Sequence, residues 1–108
     1  MRPRAKTSTA PVFAALGDKI RLRLVGRLCG DGPMSITRLT EGSKVTRQAI
    51  TKHLRVMEQA RLVRHTRRGR ESLWTLDRQR IEDARRHLDL ISKHWDDALG
   101  RLQKFVED

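Results

Sequence analysis

The sequence predicts a mainly α-helical domain that carries one small β-hairpin, an α+β fold. Apolar residues recur every three or four positions in several segments, which is the period of an amphipathic helix. Between Val63 and Leu76 this period gives way to alternation around an arginine–glycine turn, which is typical of a hairpin. A chain of 108 residues is expected to form one domain, and it contains no apolar run long enough to span a membrane.

The chain starts with a basic and polar stretch, residues 1–10, which we expect to be a flexible arm. Because this stretch lacks the hydrophobic region of a signal peptide, we expect a cytoplasmic protein. Pro11 is suited to the first turn of a short helix, where no intrahelical donor is needed, and Gly17 is expected to end that helix. The apolar side chains of this first helix are Val12, Phe13 and Leu16.

Two further helices are expected before residue 40. Asp18 is a suitable N-cap for a helix that runs to about Cys29, and Ser35 for a third, short helix. The second helix has a regular apolar stripe, namely Ile20, Leu24 and Leu28. The third places Ile36 and Leu39 inward. Cys29 is the only cysteine, so no intrachain disulfide is possible, and we interpret it as a plain buried thiol.

The fourth helix, capped by Thr46, has two contrasting faces. Apolar residues occupy positions i, i+4 and i+7 on one face, namely Ile50, Leu54 and Met57. Polar and basic residues point almost the opposite way, namely Gln48, Lys52 and Arg55, with Thr51 at their edge. Such a helix can pack its back on a core and place its front in a DNA major groove.

A short helix, a glycine-containing turn at Glu41–Lys44 and a longer helix with a polar outer face form the signature of a helix-turn-helix. The hairpin follows directly, and its turn, Arg67–Arg70, holds three arginines around Gly69. This basic turn indicates contact with phosphates, the alternative being a merely soluble turn. Trp74 is the one aromatic residue of the hairpin, so the chain lacks the stacking platform that single-stranded nucleic acid usually needs. Duplex DNA is therefore the better partner.

The formal charge of +11 is unevenly distributed. The segment from Lys44 to Arg70 contains many lysines and arginines but a single acid, Glu58, whereas acids outnumber bases between His87 and Asp108. This pattern is expected of a surface that binds a polyanion, although a basic face by itself is more often merely solvated.

The last third predicts one long helix, capped by Asp77 and running from about Arg78 to Glu107. Its apolar residues alternate steps of three and four, at Ile81, Ala84, Leu88, Ile91, Trp95, Ala98, Leu102 and Phe105. Such a helix would be about 45 Å long, and a domain of this size is too small to bury the apolar face over that whole length. Part of the stripe is therefore expected to pair with a second chain. The alternative is that it packs entirely on the N-terminal helices of its own chain.

Three segments, FAALGDKIRLRLVGRL, VTRQAITKHLRVMEQARLV and RRGRESLWTL, resemble the ArsR/SmtB family of winged-helix bacterial repressors. The most specific part is Ala49–Leu54 followed by Leu62 and Val63, with Arg61 in place of the family's glycine and Lys19 in place of a usual proline. The resemblance extends from Val12 onward. It implies a winged helix-turn-helix, a homodimer formed through the first and last helices, an operator with dyad symmetry, and repression relieved by a ligand.

These observations predict a sequence-specific regulator of transcription that binds duplex DNA as a dimeric repressor of a palindromic operator. Residues 11–76 would form the winged helix-turn-helix, and residues 77–108 a dimerisation helix within the same domain. The predicted DNA-binding residues are Lys44, Thr46, Arg47, Gln48, Thr51, Lys52, Arg55, Arg67, Arg68 and Arg70. The predicted dimer interface comprises Val12, Phe13, Leu16, Leu88, Ile91, Trp95, Ala98, Leu102 and Phe105.

No cofactor is expected, and the effector stays open between a small molecule, a protein partner and none. Family metal sensors often place cysteines at the start of the third helix, where this chain has Met34–Leu39. A second family set on the last helix is matched only by His94 and Asp97, because its first half falls on Ile81 and Asp83. His87 and His94 remain weak candidates for a different metal site, surface histidines being the commoner explanation.

Other function classes have less support. The sequence has no nucleophile with a base at a usable spacing and no glycine-rich phosphate loop, so we do not expect an enzyme. His53, beside the core face of the fourth helix, is expected to be a hydrogen-bonded structural residue. The competing interpretation is a constitutive architectural or RNA-binding protein that uses the same basic face. A repressor governed only by its own abundance is a third.

Overall fold

The computed structural model describes residues 8–107. Residues 1–7, most of the predicted arm, and Asp108 lie outside the described residues. The elements are, in chain order, α1 (Ala10–Leu16), α2 (Lys19–Asp31), β1 (Met34–Ser35), α3 (Ile36–Thr40), α4 (Arg47–Gln59), β2 (Val63–Arg68), β3 (Glu71–Leu76) and α5 (Arg78–Glu107). Helix α1 begins one residue before the predicted start at Pro11, so Ala10 belongs to the helix and not to the arm.

The N-caps predicted for four helices are confirmed. Each cap side chain accepts hydrogen bonds from backbone amides two or three residues later: Asp18 from Ile20 and Arg21, both at 3.0 Å, Ser35 from Arg38 at 3.2 Å, Thr46 from Ala49 at 3.2 Å, and Asp77 from Gln79 at 3.0 Å and Arg80 at 3.3 Å. These bonds satisfy amides that have no partner inside the helix. Those to Asp18, the one from the Arg21 amide above all, hold the pKa of this carboxyl below its usual value.

The strands form one antiparallel sheet in the order β1-β3-β2. Strands β2 and β3 make the predicted hairpin, which we call the wing, and their register runs from Val63 opposite Leu76 to Arg68 opposite Glu71. The loop is shorter than predicted, because Arg67 and Arg68 are the last residues of β2. Gly69 opens the two-residue turn with φ 62°, a conformation that favours glycine.

Strand β1 was not predicted. It is two residues long and pairs with β3, with Met34 opposite Trp74. Two residues are too few to show an alternating period, so this strand depends on the tertiary contact with the wing.

One core lies between the sheet and the helices. The predicted back of α4 is confirmed, since Ile50, Leu54 and Met57 are all buried. Cys29 was predicted to be buried but is exposed. The buried side of α2 consists of Leu24, Val25 and Leu28. A residue one position after Leu28 is turned about 100° away from it, which places the thiol outside the core at the last turn of the helix.

Helix α5 has the predicted bounds and is 30 residues long. Only its first turns pack on the domain, where Ala84 is buried and Ile81 half-buried. From Arg85 to Glu107 every residue except the half-buried Ala98 is exposed. The alternative in which α5 packs entirely on its own chain is therefore wrong. None of the helices between residues 8 and 107 combines the length and the hydropathy needed to cross a bilayer.

Candidate DNA-binding surface

The front of α4 gathers five of the predicted DNA-binding side chains. They surround one shallow depression of about 480 Å³, and they are Arg47, Gln48, Thr51, Lys52 and Arg55. We call this set the α4 front. All except the half-buried Thr51 are exposed. Since the back of α4 is held in the core, the α4 front must face away from the domain.

The N-terminal end of α4 holds two more predicted residues. Lys44 is exposed in the turn before the helix. The Thr46 hydroxyl oxygen accepts a hydrogen bond from the Ala49 amide and so caps the helix, while the hydroxyl proton is left to donate. A helix N-terminus carries partial positive charge, and together with Lys44 it favours an anion at this end.

Thr51 is also engaged with the helix backbone. Its Oγ1 donates to the carbonyl oxygen of Arg47 at 2.9 Å. Because the hydroxyl proton is used in this way, Oγ1 can only accept a further hydrogen bond. The γ-methyl group is left as the apolar part of this side chain.

Arg55 connects α4 to the wing. Its Nη1 donates to Glu58 Oε1 at 3.3 Å, and its Cζ lies 5.8 Å from the ring centroid of Trp74. Trp74 in turn stacks on His65, with centroids 4.4 Å apart and an angle of 18° between the rings. Because a guanidinium near an aromatic face is attracted by it, these contacts hold Arg55 at the junction of helix and wing. Sequence inspection missed this cluster because its members come from three elements.

The three wing arginines are all exposed. Arg67 and Arg68 end β2, and Arg70 lies in the turn. Within residues 8–107 none of the three takes part in a salt bridge, although Glu71 is the cross-strand neighbour of Arg68. Their charges are therefore available to an external anion.

A polar cluster behind α4 fixes the helix to α2. His53 Nδ1 lies 3.3 Å from Arg21 Nη1 and 3.8 Å from Asp18 Oδ2. Arg21 also donates from Nε to the Ala15 carbonyl oxygen at 2.7 Å. Because a guanidinium can only donate, the contact with Arg21 requires Nδ1 to accept. The prediction that His53 is a hydrogen-bonded structural residue is confirmed.

Within one chain, the weak metal candidates His87, His94 and Asp97 do not form a ligand group among the described residues. His87 Nδ1 lies 3.2 Å from the hydroxyl of Thr9, and its ring packs edge-on against Phe13 with centroids 5.7 Å apart. Among the residues that the structure describes, no group of three or more His, Cys, Asp or Glu side chains could hold a metal ion. Neither His94 nor Asp97 is therefore part of such a group with His87.

The predicted interface residues come from two helices, α1 and α5, and differ in how far their own chain buries them. Val12 is 0% exposed within its own chain, so it offers no surface to a partner and is corrected to a core residue. Phe13 and Leu16 are half-buried beside the core. The α5 residues of the set, which we call the α5 stripe, are all exposed except Ala98, and they are Leu88, Ile91, Trp95, Ala98, Leu102 and Phe105. Leu99 and Val106 are also exposed and widen the stripe.

Comparisons with known proteins agree with this geometry. A model of the helix-turn-helix domain matches residues 16–66. The HTH-type transcriptional regulator Rv2034 of Mycobacterium tuberculosis is 34% identical over 95 residues, which cover 88% of this chain and 85% of that protein. An ArsR-like transcriptional regulator from Rhodococcus sp. RHA1 superposes with a TM-score of 0.77 at 32% identity, covering 90% of this chain and 91% of the other.

The chain belongs to the ArsR family of helix-turn-helix transcriptional regulators. A further solved structure, of a possible transcriptional regulator for arsenical resistance, is 31% identical with a TM-score of 0.65 and covers 72% of this chain and 80% of that one. In this ArsR-family fold, α3 and α4 form the helix-turn-helix, β2 and β3 form the wing, and a long helix ends the domain.

Proposed function

We propose that this ArsR-family regulator is a homodimeric repressor that acts in the cytoplasm and binds a palindromic duplex-DNA operator through the α4 front and the wing. The observation that carries the proposal is the α4 front itself, a polar and basic surface held outward by a buried apolar back. Helices of this shape and chemistry fit the major groove, where Arg, Lys, Gln and Thr can contact bases and phosphates.

We assign different tasks to different parts of the surface. Gln48 and Thr51, near the centre of the α4 front, would discriminate bases, while Lys52 and Arg55 would divide between bases and phosphates. The remaining predicted contacts would bind the DNA backbone, and they are Lys44, Thr46, Arg47, Arg67, Arg68 and Arg70. A hairpin tip of flexible arginines suits the sugar–phosphate backbone or the minor groove better than base recognition.

A second copy of the chain is the occupant that we propose for the α5 stripe. Trp95 is 64% exposed and Phe105 is 81% exposed, so most of each ring lies in water when the chain is alone. From Leu88 to Phe105 the stripe extends over nearly five turns of helix, and an apolar surface of this length is unusual on a monomer and marks an interface. A two-fold dimer through α5 would place two α4 helices about one DNA turn apart, which predicts an operator with two inverted half-sites.

Selection of binding sites from a pool of random duplex DNA tests this proposal. The wild-type protein is expected to enrich an inverted repeat whose half-sites are centred about 10 base pairs apart. Gln48→Ala should relax the preference at one position in each half-site and weaken binding by about 1–3 kcal/mol per contact. Gln103→Ala, which removes the same side chain from α5, is the matched control and should select the wild-type sequence.

Two further arms separate repression from the competing functions. The enriched repeat placed over the promoter of a reporter gene should lower expression when the wild-type protein is present. Duplex RNA of the same sequence should compete poorly because its A-form major groove is too deep and narrow to admit α4, and single-stranded RNA because it offers no major groove. Enrichment of no motif, or equal competition by RNA, would favour a constitutive nucleic-acid-binding protein.

A further inference from the structure

Arg80 joins three parts of the molecule through one guanidinium group. It lies in the first turn of α5, and it is 4% exposed. Its Nη2 donates to the carbonyl oxygen of Ala60 at 3.1 Å and to that of Ser8 at 3.0 Å. Ala60 is the C-cap of α4, and Ser8 immediately precedes the N-cap of α1. A single side chain therefore connects the end of α4, the entry to α1 and the start of α5.

The charges around Arg80 indicate which helix its guanidinium group stabilises. Buried arginines are normally paired with a carboxylate, but within residues 8–107 Arg80 forms no salt bridge, and its Nε and Nη1 have no hydrogen-bond partner. Near the N-terminus of its own helix a cation is unfavourable, because that end carries partial positive charge. The C-terminal end of α4 carries the opposite partial charge, and a basic side chain that binds its last carbonyls is favourable there. The favourable interaction of the Arg80 charge is therefore the one with the C-terminal end of α4.

Backbone hydrogen bonds close a ring around this contact. After α4 the chain turns at Arg61, and the Leu62 amide donates to the carbonyl oxygen of Met57 at 2.9 Å. The Leu62 carbonyl oxygen accepts from the Asp77 amide at 2.9 Å, and Asp77 Oδ1 accepts from the Arg80 amide at 3.3 Å. The segment that follows α4 is thus bound to the segment that starts α5, and the guanidinium supplies the side-chain link of the ring.

We propose that Arg80 is a positioning residue that fixes the angle of α4 relative to α5, and thereby sets the half-site spacing that the dimer accepts. The inference rests on the proposed function. Helix α4 has 13 residues and is about 20 Å long, so a tilt of about 10° around its C-cap moves its far end by about 3.5 Å. That displacement is close to the rise of one base pair, about 3.4 Å. Loss of the Arg80 contact with Ala60 would therefore let α4 tilt enough to contact bases one position away.

Amide hydrogen exchange of the free protein tests the clamp without DNA. Arg80→Lys keeps the charge, but its side chain is one bond shorter and has no Nη2, the single nitrogen that donates to both carbonyls. Arg80→Met removes the charge and the donors. In Arg80→Lys, exchange at the Leu62 and Asp77 amides is expected to become about tenfold faster, because the ring has lost its side-chain link. Arg27→Met is the matched control, since Arg27 Nη1 donates to the Leu39 carbonyl oxygen at 3.0 Å and joins α2 to the end of α3 instead. Wild-type exchange rates at both amides of Arg80→Lys would overturn the clamp.

Binding to DNA with altered spacing tests the role in register. The probes are the duplex that the wild-type protein selects from a random pool and the same duplex with one base pair inserted at its centre. The wild type is expected to bind the inserted duplex about tenfold more weakly, in line with a misplaced base contact. Arg80→Lys should narrow this ratio to less than about threefold, while Arg27→Met retains it.

The outcomes separate the two proposals. If Arg80→Lys discriminates between the two duplexes as well as the wild type does, the positioning role is wrong and the proposed function stands. If the wild-type protein selects no inverted repeat, the proposed function and the spacing role are both wrong, whatever the exchange rates are. Arg80→Met serves as a second variant: it should lose discrimination at least as far as Arg80→Lys, and a folded Arg80→Met that keeps it would also overturn the role.

Discussion

Removal of the wing arginines should change the salt dependence of DNA binding in a way that can be calculated. Arg67, Arg68 and Arg70 are exposed and form no salt bridge with a described residue, so each can meet one phosphate. Each phosphate contact contributes about 0.9 unit to the slope of log K against log salt concentration. A dimer carries each arginine twice. Arg68→Gln should therefore flatten the slope by up to about 2 units, and the triple Gln variant by up to about 5.

Fluorescence anisotropy with a labelled duplex, at salt concentrations between about 50 and 200 mM, measures this slope. Affinities for the selected duplex and for a scrambled duplex should fall together, because backbone contacts carry little sequence information. Lys104→Gln, which removes one charge from the exposed end of α5, is the control and should leave the slope unchanged. A triple variant with the wild-type slope would show that the wing does not touch DNA.

Three further predictions concern other parts of the molecule. The Thr51 hydroxyl is bound to the helix backbone, so in the proposed complex the methyl group would contact the DNA. Thr51→Val should therefore bind the selected duplex within about threefold of the wild type, whereas Thr51→Ser should lose about 0.8 kcal/mol per half-site. Titration of the duplex with both variants tests this, and tighter binding by Thr51→Ser than by Thr51→Val would contradict it. Leu102 is 59% exposed, so Leu102→Ala should weaken the dimer by about 2 to 4 kcal/mol over its two copies. Leu90 is similarly exposed, at 53%, but is turned about 120° away from Leu102 around α5, so Leu90→Ala should weaken the dimer less. Sedimentation equilibrium measures both variants, and equal effects would place the interface elsewhere. The Arg21 amide lowers the pKa of Asp18, so the carboxylate charge stabilises the fold above pH 3.8, and this stabilisation is lost as the pH falls through the lowered pKa. The difference in Tm between the wild type and Asp18→Asn should therefore shrink below about pH 4. A Tm difference that does not change with pH would contradict this role of the Asp18 charge.

The sequence predicted the helices well because local chemistry specifies them. Asp18, Ser35, Thr46 and Asp77 are N-caps whose hydrogen bonds reach only two or three residues along the chain. The two faces of α4 follow from the helical period alone. These features need no information about distant parts of the chain, so they could be predicted residue by residue.

The features that sequence inspection missed depend on contacts between distant residues. The strand Met34–Ser35 exists because β3 lies beside it. Val12 is an apolar residue of the first helix and could serve equally in an interface or in the core; only the packed fold shows that its own chain buries it completely. In the sequence, Arg80 is not distinguishable from the other basic residues, and only the structure shows its contacts with Ser8 and Ala60. No periodicity reports on pairs that are 20 or more residues apart.

The candidate site shows the same division. The members of the α4 front could be predicted because they share one helix face. The contacts that orient Arg55 could not, since Glu58 is a neighbour on the helix but Trp74 and His65 come from the two strands of the wing. The dimer remains a proposal for the same reason, because the partner of the α5 stripe is not part of the chain's own fold.

Sedimentation of the protein on its selected duplex tests the dimeric, symmetric mode of binding most directly. One full inverted repeat is expected to carry the mass of two chains of 12.5 kDa each, bound together without a populated one-chain complex. A duplex with a single half-site should bind far more weakly, because half of the base contacts are lost. One chain of 12.5 kDa bound as tightly to a half-site as two chains bind to the full repeat would contradict both the dimer and the palindromic operator.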